Sequence, residues 1–150
     1  MKTPSASIPA NFAWARLVPE LLVADLDRSL RFWRDLCGFQ VAFDRPEDRF
    51  AYLDLDGAQV MLEQRGLGRN WVSAPLEVPL GRGINFQVGV HSIQPILATL
   101  QAAGWPLFMQ PERKWYRTGS FETGVEQFLV QDPDGYLIRF SAPIGERAAG

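Results

Sequence analysis

The sequence predicts an α+β fold of two tandem βαβββ modules that form a concave mixed sheet, with the helices on its outer face. Two repeats support this prediction. One is a strand, a capping residue, an amphipathic helix, a glycine and an aromatic residue, seen at VADLDRSLRFWRDLCGF and again at VHSIQPILATLQAAGW. The other is a strand, a D-x-D-G turn and a strand, seen at LDLDGAQVMLEQ and VQDPDGYLIRFS. Such a concave sheet between related halves is a place where a ligand can bind.

The first module is expected at residues 13–64, after a flexible tail at 1–12. Asp25 suits a helix N-cap, and Gly38 suits the end of that helix. Between them the apolar residues recur at helical spacing, at Leu26, Leu30, Trp33 and Cys37. The strands predicted for this module are 17–23, 39–43, 50–54 and 58–64.

Residues 65–82 are rich in Gly and Pro and have no periodic apolar pattern, which predicts a linker and candidate lid. The second module is expected at 83–142, and a frayed C-terminal tail at 143–150. Ser92 is the expected cap of its helix. The strands predicted for this module are 84–90, 107–110, 125–131 and 136–141.

Composition excludes several classes of function. The 150 residues contain 15 Lys+Arg and 17 Asp+Glu, a formal charge of -2, which argues against a nucleic-acid surface. No apolar run approaches the ~20 residues that cross a bilayer, and the N-terminus lacks the apolar core of a secretory signal. A single cysteine, Cys37, forms no intrachain disulfide and fits a small core residue. These features predict a cytoplasmic protein without a membrane partner.

Each predicted strand has one apolar face, expected to pack on the helices, and one mixed face. A plain core would not carry two glutamates and an arginine, and a solvated face would carry denser charge. The mixed face therefore predicts the lining of a cleft. Its polar members are Glu20, Gln59, Glu63, Asn85, Gln87 and Arg139.

The stretches LLVADLDRSLRFWRDLCGF, AYLDLDGAQVMLEQ, GINFQVGV and FLVQDPDGYLIRF resemble the vicinal oxygen chelate superfamily, which is also called glyoxalase/bleomycin resistance/dioxygenase. They cover most of residues 16–141. The resemblance implies paired βαβββ units and a homodimer with two clefts, often with modules exchanged between chains. The stretches PELLVADLDRSLRFWRDLCGF and KWYR…GVEQFLVQDPDGY are most similar to the bleomycin resistance branch.

Metalloenzymes of this family place one ligand, His or Glu, on each of four strands. The resemblance assigns these positions here to Val18, Met61, Gly83 and Arg139, and none is a usual ligand for Zn, Fe or Mn. The resemblance therefore implies a protein without a cofactor or metal that sequesters a planar, cationic small molecule such as a bleomycin. The alternative is a lyase-like or dioxygenase-like enzyme, with a displaced metal or with Glu20 or Glu63 as a base.

Eight residues are predicted to contact the ligand and none to be catalytic. Glu20 and Glu63 either form an anionic wall for a cation or pair internally with Arg139. Trp71 and Trp115 are expected to stack on a planar ligand or to contact a second subunit, since flat aromatic faces also attract cations. The remaining members are polar residues of the mixed face, namely Asn85, Gln87, Gln127 and Arg139.

Overall fold

The computed structural model describes residues 8–150, which form two compact units, one ending at Val78 and the other spanning Pro79–Gly150. Each unit has the strand–helix–strand–strand–strand order, so the predicted α+β fold with tandem βαβββ modules is confirmed. Where the sequence predicted a joint sheet, the hydrogen bonds define one four-stranded sheet in each unit. None of the helices formed by residues 8–150 has the length and apolar character that crossing a membrane requires.

The sheet of the first unit has the strand order β1-β4-β3-β2. Strands β1 and β4 run parallel, because a helix and two strands separate them in the chain, whereas neighbours joined by short turns run antiparallel. Its elements are β1 (Glu20–Val23), α1 (Leu26–Leu30), β2 (Gln40–Arg45), β3 (Phe50–Leu55) and β4 (Ala58–Gln64).

The helix of the first unit begins as the repeat predicted. The Asp25 carboxylate accepts hydrogen bonds from the backbone N–H groups of Asp27 at 2.9 Å and Arg28 at 3.3 Å, which caps the first turn. After α1 the backbone widens into a π-helical segment, Arg31–Leu36. Gly38 then ends the helix with a φ of 85°, the left-handed region that glycine favours.

The second unit repeats this topology, with the strand order β5-β8-β7-β6 and a parallel pair formed by β5 and β8. Its helix has its own cap-like contact, since the backbone N–H of Gln94 donates to the Ser92 hydroxyl at 3.2 Å. The elements are β5 (Asn85–Gly89), α2 (Gln94–Ala102), β6 (Met109–Thr118), β7 (Phe121–Gln131) and β8 (Leu137–Ala148).

The tail predicted at 143–150 is wrong for most of its length, because β8 continues to Ala148 and pairs with β7 as far as Phe121. The charged, Gly-containing end of the sequence resembles a frayed tail, but its side chains find partners on β7 and β6. Arg147 forms an ion pair of 2.5 Å with Glu122, and its guanidinium lies 4.2 Å from the ring centroid of Trp115.

The apolar strand faces supply the core, as the alternation predicted. In the first unit Leu53 and Leu62 are fully buried, and in the second Ile138 and Phe140 are fully buried. Cys37 is also buried, which confirms that it is a small core residue. The opposite faces of the two sheets are therefore the sides on which polar side chains can meet a ligand.

Candidate functional site

Strand pairing places two rows of side chains on the mixed face of the first sheet, because paired residues of neighbouring strands point to the same side. Acidic residues lie at the β1 and β4 end of these rows, and aromatic rings lie on β2 and β3. The first row is Glu20, Met61, Tyr52 and Phe43, and the second is Leu22, Glu63, Phe50 and Arg45. We call this surface the acid–aromatic face.

The segment before β1 adds two rings to the acid–aromatic face. Trp14 lies edge-to-face on Tyr52, with 5.2 Å between ring centroids, and Phe12 lies edge-to-face on Trp14 at 4.8 Å. Tyr52 and Phe43 stack at 5.1 Å beneath them. The Trp14 side chain is 52% exposed, so it presents an aromatic surface that a ligand can reach.

Gln59 holds this segment in place. Its amide oxygen accepts from the backbone N–H of Ala15 at 2.8 Å, and its amide nitrogen donates to the Ala13 carbonyl at 2.7 Å. The Tyr52 hydroxyl donates to the same amide oxygen at 2.6 Å. The sequence suggested Gln59 for a cleft lining, whereas in the structure it is buried and anchors the chain that carries Trp14.

Glu20 and Glu63 are brought together on the acid–aromatic face and share a side-chain hydrogen bond. Partial desolvation of the Glu20 carboxyl raises its pKa above the ordinary value of 4.5, and the hydrogen bond and negative charge of Glu63 raise it further. The positive charge of Arg45 acts in the opposite direction and lowers the pKa. The Glu20 carboxyl therefore holds a proton more readily than an isolated glutamate does.

The four positions that the resemblance assigns to metal ligands carry no usual ligand side chain. Val18 and Met61 pack against the apolar cluster of Ala42, Phe50 and Tyr52. Gly83 has no side chain, and Arg139 is a permanent cation. Within residues 8–150 the structure brings together no group of three or more His, Cys, Asp or Glu side chains suited to a metal ion.

The mixed face of the second sheet contains a polar pocket of about 260 Å³. Gln87 on β5 pairs with Arg139 on β8, and the next row pairs Ser141 with Gln127 on β7. We call this the Arg139 pocket. Its polar lining residues are Gln87, Tyr116, Thr118, Thr123, Gln127, Arg139 and Ser141.

Hydrogen bonds fix one wall of the Arg139 pocket. The buried amide of Gln127 donates to the Tyr116 hydroxyl at 2.7 Å and to the Glu112 carboxylate at 3.0 Å. The hydroxyls of Thr118 and Thr123 lie 3.1 Å apart, within hydrogen-bond distance. These contacts set the positions of the polar groups before any ligand arrives.

Arg139 differs from its neighbours in this pocket. Its Nε is buried and has no hydrogen-bond partner among the described residues. A buried donor without a partner is costly, and Arg139 is also one of the residues that line the pocket. The sequence had identified Gln87, Gln127 and Arg139 as ligand contacts, and the structure places all three around one pocket.

The remaining predicted contacts lie elsewhere. Asn85 is exposed on β5, two residues before Gln87, and Glu20 and Glu63 belong to the first unit. Trp71 also belongs to the first unit; it is 74% exposed, and the Arg69 guanidinium lies 4.9 Å from its ring centroid.

Trp115 lies on the opposite side of the second sheet from the Arg139 pocket. It pairs with Gly124, and its ring covers that glycine, whereas the pocket is lined by Thr123, Val125 and Gln127 of the same strand. Because neighbouring residues of a strand point to opposite faces, Trp115 cannot stack on a ligand in this pocket. Its alternative role as a contact with a second subunit stays a prediction.

Sequence reasoning missed Trp14 and the pocket residues of β6. Trp14 belongs to a segment without strand periodicity, so no pattern indicated which surface its ring would cover. The strand predicted at 107–110 was too short, since β6 extends to Thr118. With the full length of β6, strand alternation places Tyr116 and Thr118 on the same face as Gln127.

Comparisons with known proteins identify the family. The model of the Glyoxalase/Bleomycin resistance protein/Dioxygenase superfamily matches residues 15–140, and the chain belongs to this superfamily. No curated protein sequence matches the chain at a significant level.

Three solved structures are also similar to this chain. A member of the same superfamily from Vibrio splendidus 12B01 is 39% identical, with 83% of this chain and 95% of that chain covered and a TM-score of 0.39. TioX from Micromonospora sp. ML1 is 24% identical, with 86% of this chain and 98% of that chain covered and a TM-score of 0.65. A virulence protein from Salmonella typhimurium is 19% identical, covering 87% and 98%, with a TM-score of 0.63. The last two show likeness of fold.

Proposed function

We propose that this protein is a small-molecule binding protein of the bleomycin resistance type, which sequesters a planar, cationic ligand and leaves it chemically unchanged. The acid–aromatic face of the first unit carries this proposal. A carboxyl pair and flat aromatic rings share one side of the sheet, and the ring of Trp14 is open to solvent. By removing a toxic compound from solution, such a protein would confer antibiotic resistance.

The chemistry of the two groups fits a positively charged planar ligand. Aromatic faces stack on planar groups and attract cations. A cation beside Glu20 favours the ionised carboxylate and so opposes the burial and the Glu63 contact that raise the pKa of Glu20. Trp71 adds a second exposed ring in the same unit, and we propose that it also stacks on the ligand.

The side chains at the positions assigned to metal ligands support binding of the ligand without chemical conversion. Superfamily enzymes that use a metal ion to polarise an oxygen need side chains that coordinate it. At the corresponding positions this chain has two apolar side chains, a glycine and an arginine. We further propose that the ligand binds in the clefts of a cytoplasmic homodimer, and that Asn85 supplies a hydrogen bond to it.

Titration of metal-free bleomycin into the purified protein, followed by tryptophan fluorescence, tests the proposal. The fluorescence should be quenched saturably, and a chelator added to the protein beforehand should leave the curve unchanged. The absence of a quench up to about 1 mM ligand, a free energy of only about -4 kcal/mol, would refute binding of this class. Loss of binding after chelation would favour the metal-dependent alternative.

Variants locate the binding surface. Trp14→Phe should remove most of the quench, whereas Trp105→Phe, whose half-buried indole donates to the Gln131 carbonyl, should keep it. Glu63→Gln should weaken binding about fivefold, the effect of roughly 1 kcal/mol at a partly exposed cation contact. Glu47→Gln removes the same charge from an exposed turn of the same unit and should leave the affinity unchanged.

A further inference from the structure

The Arg139 pocket contains hydrogen-bond donors around a single fixed positive charge. Its lining residues include one arginine and no carboxylate. Tyr116 accepts from Gln127 through its oxygen, so its own O–H remains able to donate. Gln87 contributes an exposed amide, and Ser141 contributes a hydroxyl. The pocket therefore offers donors and a positive charge, whereas the first unit offers a pair of carboxyl groups.

We infer that the Arg139 pocket is a second recognition site of opposite charge, which binds the carboxylate of a small organic acid. The guanidinium of Arg139 would donate to the carboxylate oxygens, and the Tyr116 hydroxyl is a second donor on the pocket wall. The inference rests on the proposed function only in taking the protein to bind small molecules. It does not depend on a cation binding to the first unit.

A carboxylate matches the guanidinium of Arg139 better than an uncharged or a cationic group does. A guanidinium is a planar fork of N–H donors that matches the two oxygens of a carboxylate. An uncharged amide or hydroxyl would satisfy the Nε donor but leave the positive charge uncompensated in a partly buried site. A cationic group would place like charges together.

Two exposed acidic residues, Glu112 and Glu146, lie on the same side of the sheet as this pocket but outside its lining, since they pair with Gln127 and Thr123. The Glu112 carboxylate is on the edge strand β6, is exposed, and accepts from the Gln127 amide at 3.0 Å. Because it lies in solvent and outside the lining, it weakens the field of Arg139 without occupying the position of an anion. The other two acids of this strand pair, Glu122 and Glu126, point to the opposite face and form ion pairs with Arg147 and Arg113.

Three probes of nearly equal shape and different charge test the inference: benzoate, benzamide and benzamidinium. Each is titrated into the full-length protein, and NMR spectra of arginine side chains labelled with ¹⁵N follow the Nε–H signals. Benzoate should bind at least about tenfold more tightly than benzamide and shift the Arg139 signal, since a charge-assisted pair is substantially stronger than a neutral one. Benzamidinium should leave the Arg139 signal unshifted.

Matched variants separate Arg139 from the general charge of the sheet. Arg139→Gln should reduce benzoate affinity about tenfold or more. Arg113→Gln removes the same charge from the other face of the same sheet and should have little effect. Arg139→Lys keeps the charge but loses the planar fork of N–H donors. Its affinity for benzoate should therefore fall between those of the unchanged protein and of Arg139→Gln. Tyr116→Phe should weaken benzoate binding severalfold through loss of one donor.

The outcomes distinguish this inference from the proposed function. Equal affinity for benzoate and benzamide, or equal loss from Arg139→Gln and Arg113→Gln, would overturn the carboxylate site. Preference for benzamidinium at the Arg139 signal would overturn it as well. Failure of the bleomycin titration while benzoate still shifts Arg139 would refute the cationic ligand and keep the carboxylate site.

Discussion

At the scale of single residues, the mixed face of the first sheet carries a carboxyl pair, and the mixed face of the second carries Arg139. In the first unit Glu20 and Glu63 lie on neighbouring strands and share a hydrogen bond. In the second unit the buried Nε of Arg139 has no hydrogen-bond partner within residues 8–150. Both arrangements are unfavourable for the isolated protein, since like charges repel and an unmatched buried donor loses its hydration. Residues that cost stability in this way are good candidates for ligand contacts.

Replacing Glu20 by Gln should stabilise the protein at neutral pH. Because the folded state raises the pKa of Glu20, it binds the proton more tightly than the unfolded chain does, and this contribution to stability is lost as pH rises through the raised pKa. Below the ordinary value of 4.5 both states are protonated, so the substitution should have little effect there. Urea unfolding at about pH 4 and about pH 7 should show a gain on the order of 0.5 kcal/mol at the higher pH alone.

Glu47→Gln provides the control for this measurement, since Glu47 lies in the exposed 3-10 turn of the same unit. It removes the same formal charge without touching the carboxyl pair. A Glu20→Gln effect that is equal at both pH values, or equal to the effect of the control, would contradict the shifted pKa.

Gly135 is the residue at which the D-x-D-G turn of the second unit tolerates no side chain. Its φ is +97°, and an added Cβ would lie 2.5 Å from the Cα of Pro79. Gly135→Ala should therefore lower the free energy of unfolding by about 2 kcal/mol or more, from backbone strain and a clash with the main chain.

Gly104→Ala is the matched control, since Gly104 also has a positive φ, +66°, but an added Cβ there has no atom within 4 Å. It should cost about 1 kcal/mol, the strain alone. Thermal or urea unfolding of the two variants compares the costs. Equal losses would show that Pro79 moves aside without penalty.

At the scale of elements, the two D-x-D-G turns share one feature, since in each the carboxylate of the first aspartate accepts from backbone N–H groups. In the first, the Asp54 carboxylate accepts from the backbone N–H of Gly57 at 3.2 Å. In the second, Asp132 accepts from the backbone N–H groups of Asp134 and Tyr136, both at 2.9 Å. Aspartate at the start of each turn therefore determines where one strand stops and the next begins.

The end of β8 provides a test at this scale. Removing residues 143–150 should destabilise the second unit by at least about 1 kcal/mol, because β7 loses its partner strand and Trp115 loses the guanidinium of Arg147. A chain lacking only Gly150 should unfold like the full-length protein. Equal unfolding midpoints in urea for all three chains would show that this part of β8 contributes nothing to stability.

At the scale of the whole molecule, the number of chains in the assembly can be tested directly. The resemblance implies a homodimer, and we expect sedimentation equilibrium to give twice the 16.9 kDa mass of one chain. Exposed apolar side chains such as Leu17 and Phe108 are candidates for surfaces that a second copy covers. A single-chain mass across the micromolar range would contradict the expected dimer and, with it, a ligand site made by two subunits.

The sequence by itself determined the features that depend on local interactions. The Asp25 cap, the end of the helix at Gly38 and strand β4 at Ala58–Gln64 lie where the sequence predicted them. Capping, positive φ and strand alternation depend on residues close together in the chain, so they can be recognised without a structure. The repeat of these signals was sufficient to predict the tandem fold.

Only the tertiary structure decided which side chains meet. Trp14 reaches the acid–aromatic face because Gln59, more than forty residues later in the chain, binds the backbone beside it. Trp115 lies away from the Arg139 pocket because the register of β6 with β7 sets its face, and β8 extends to Ala148 because β7 offers a partner. These outcomes depend on long-range pairing, whose energy comes from residues that no local pattern connects.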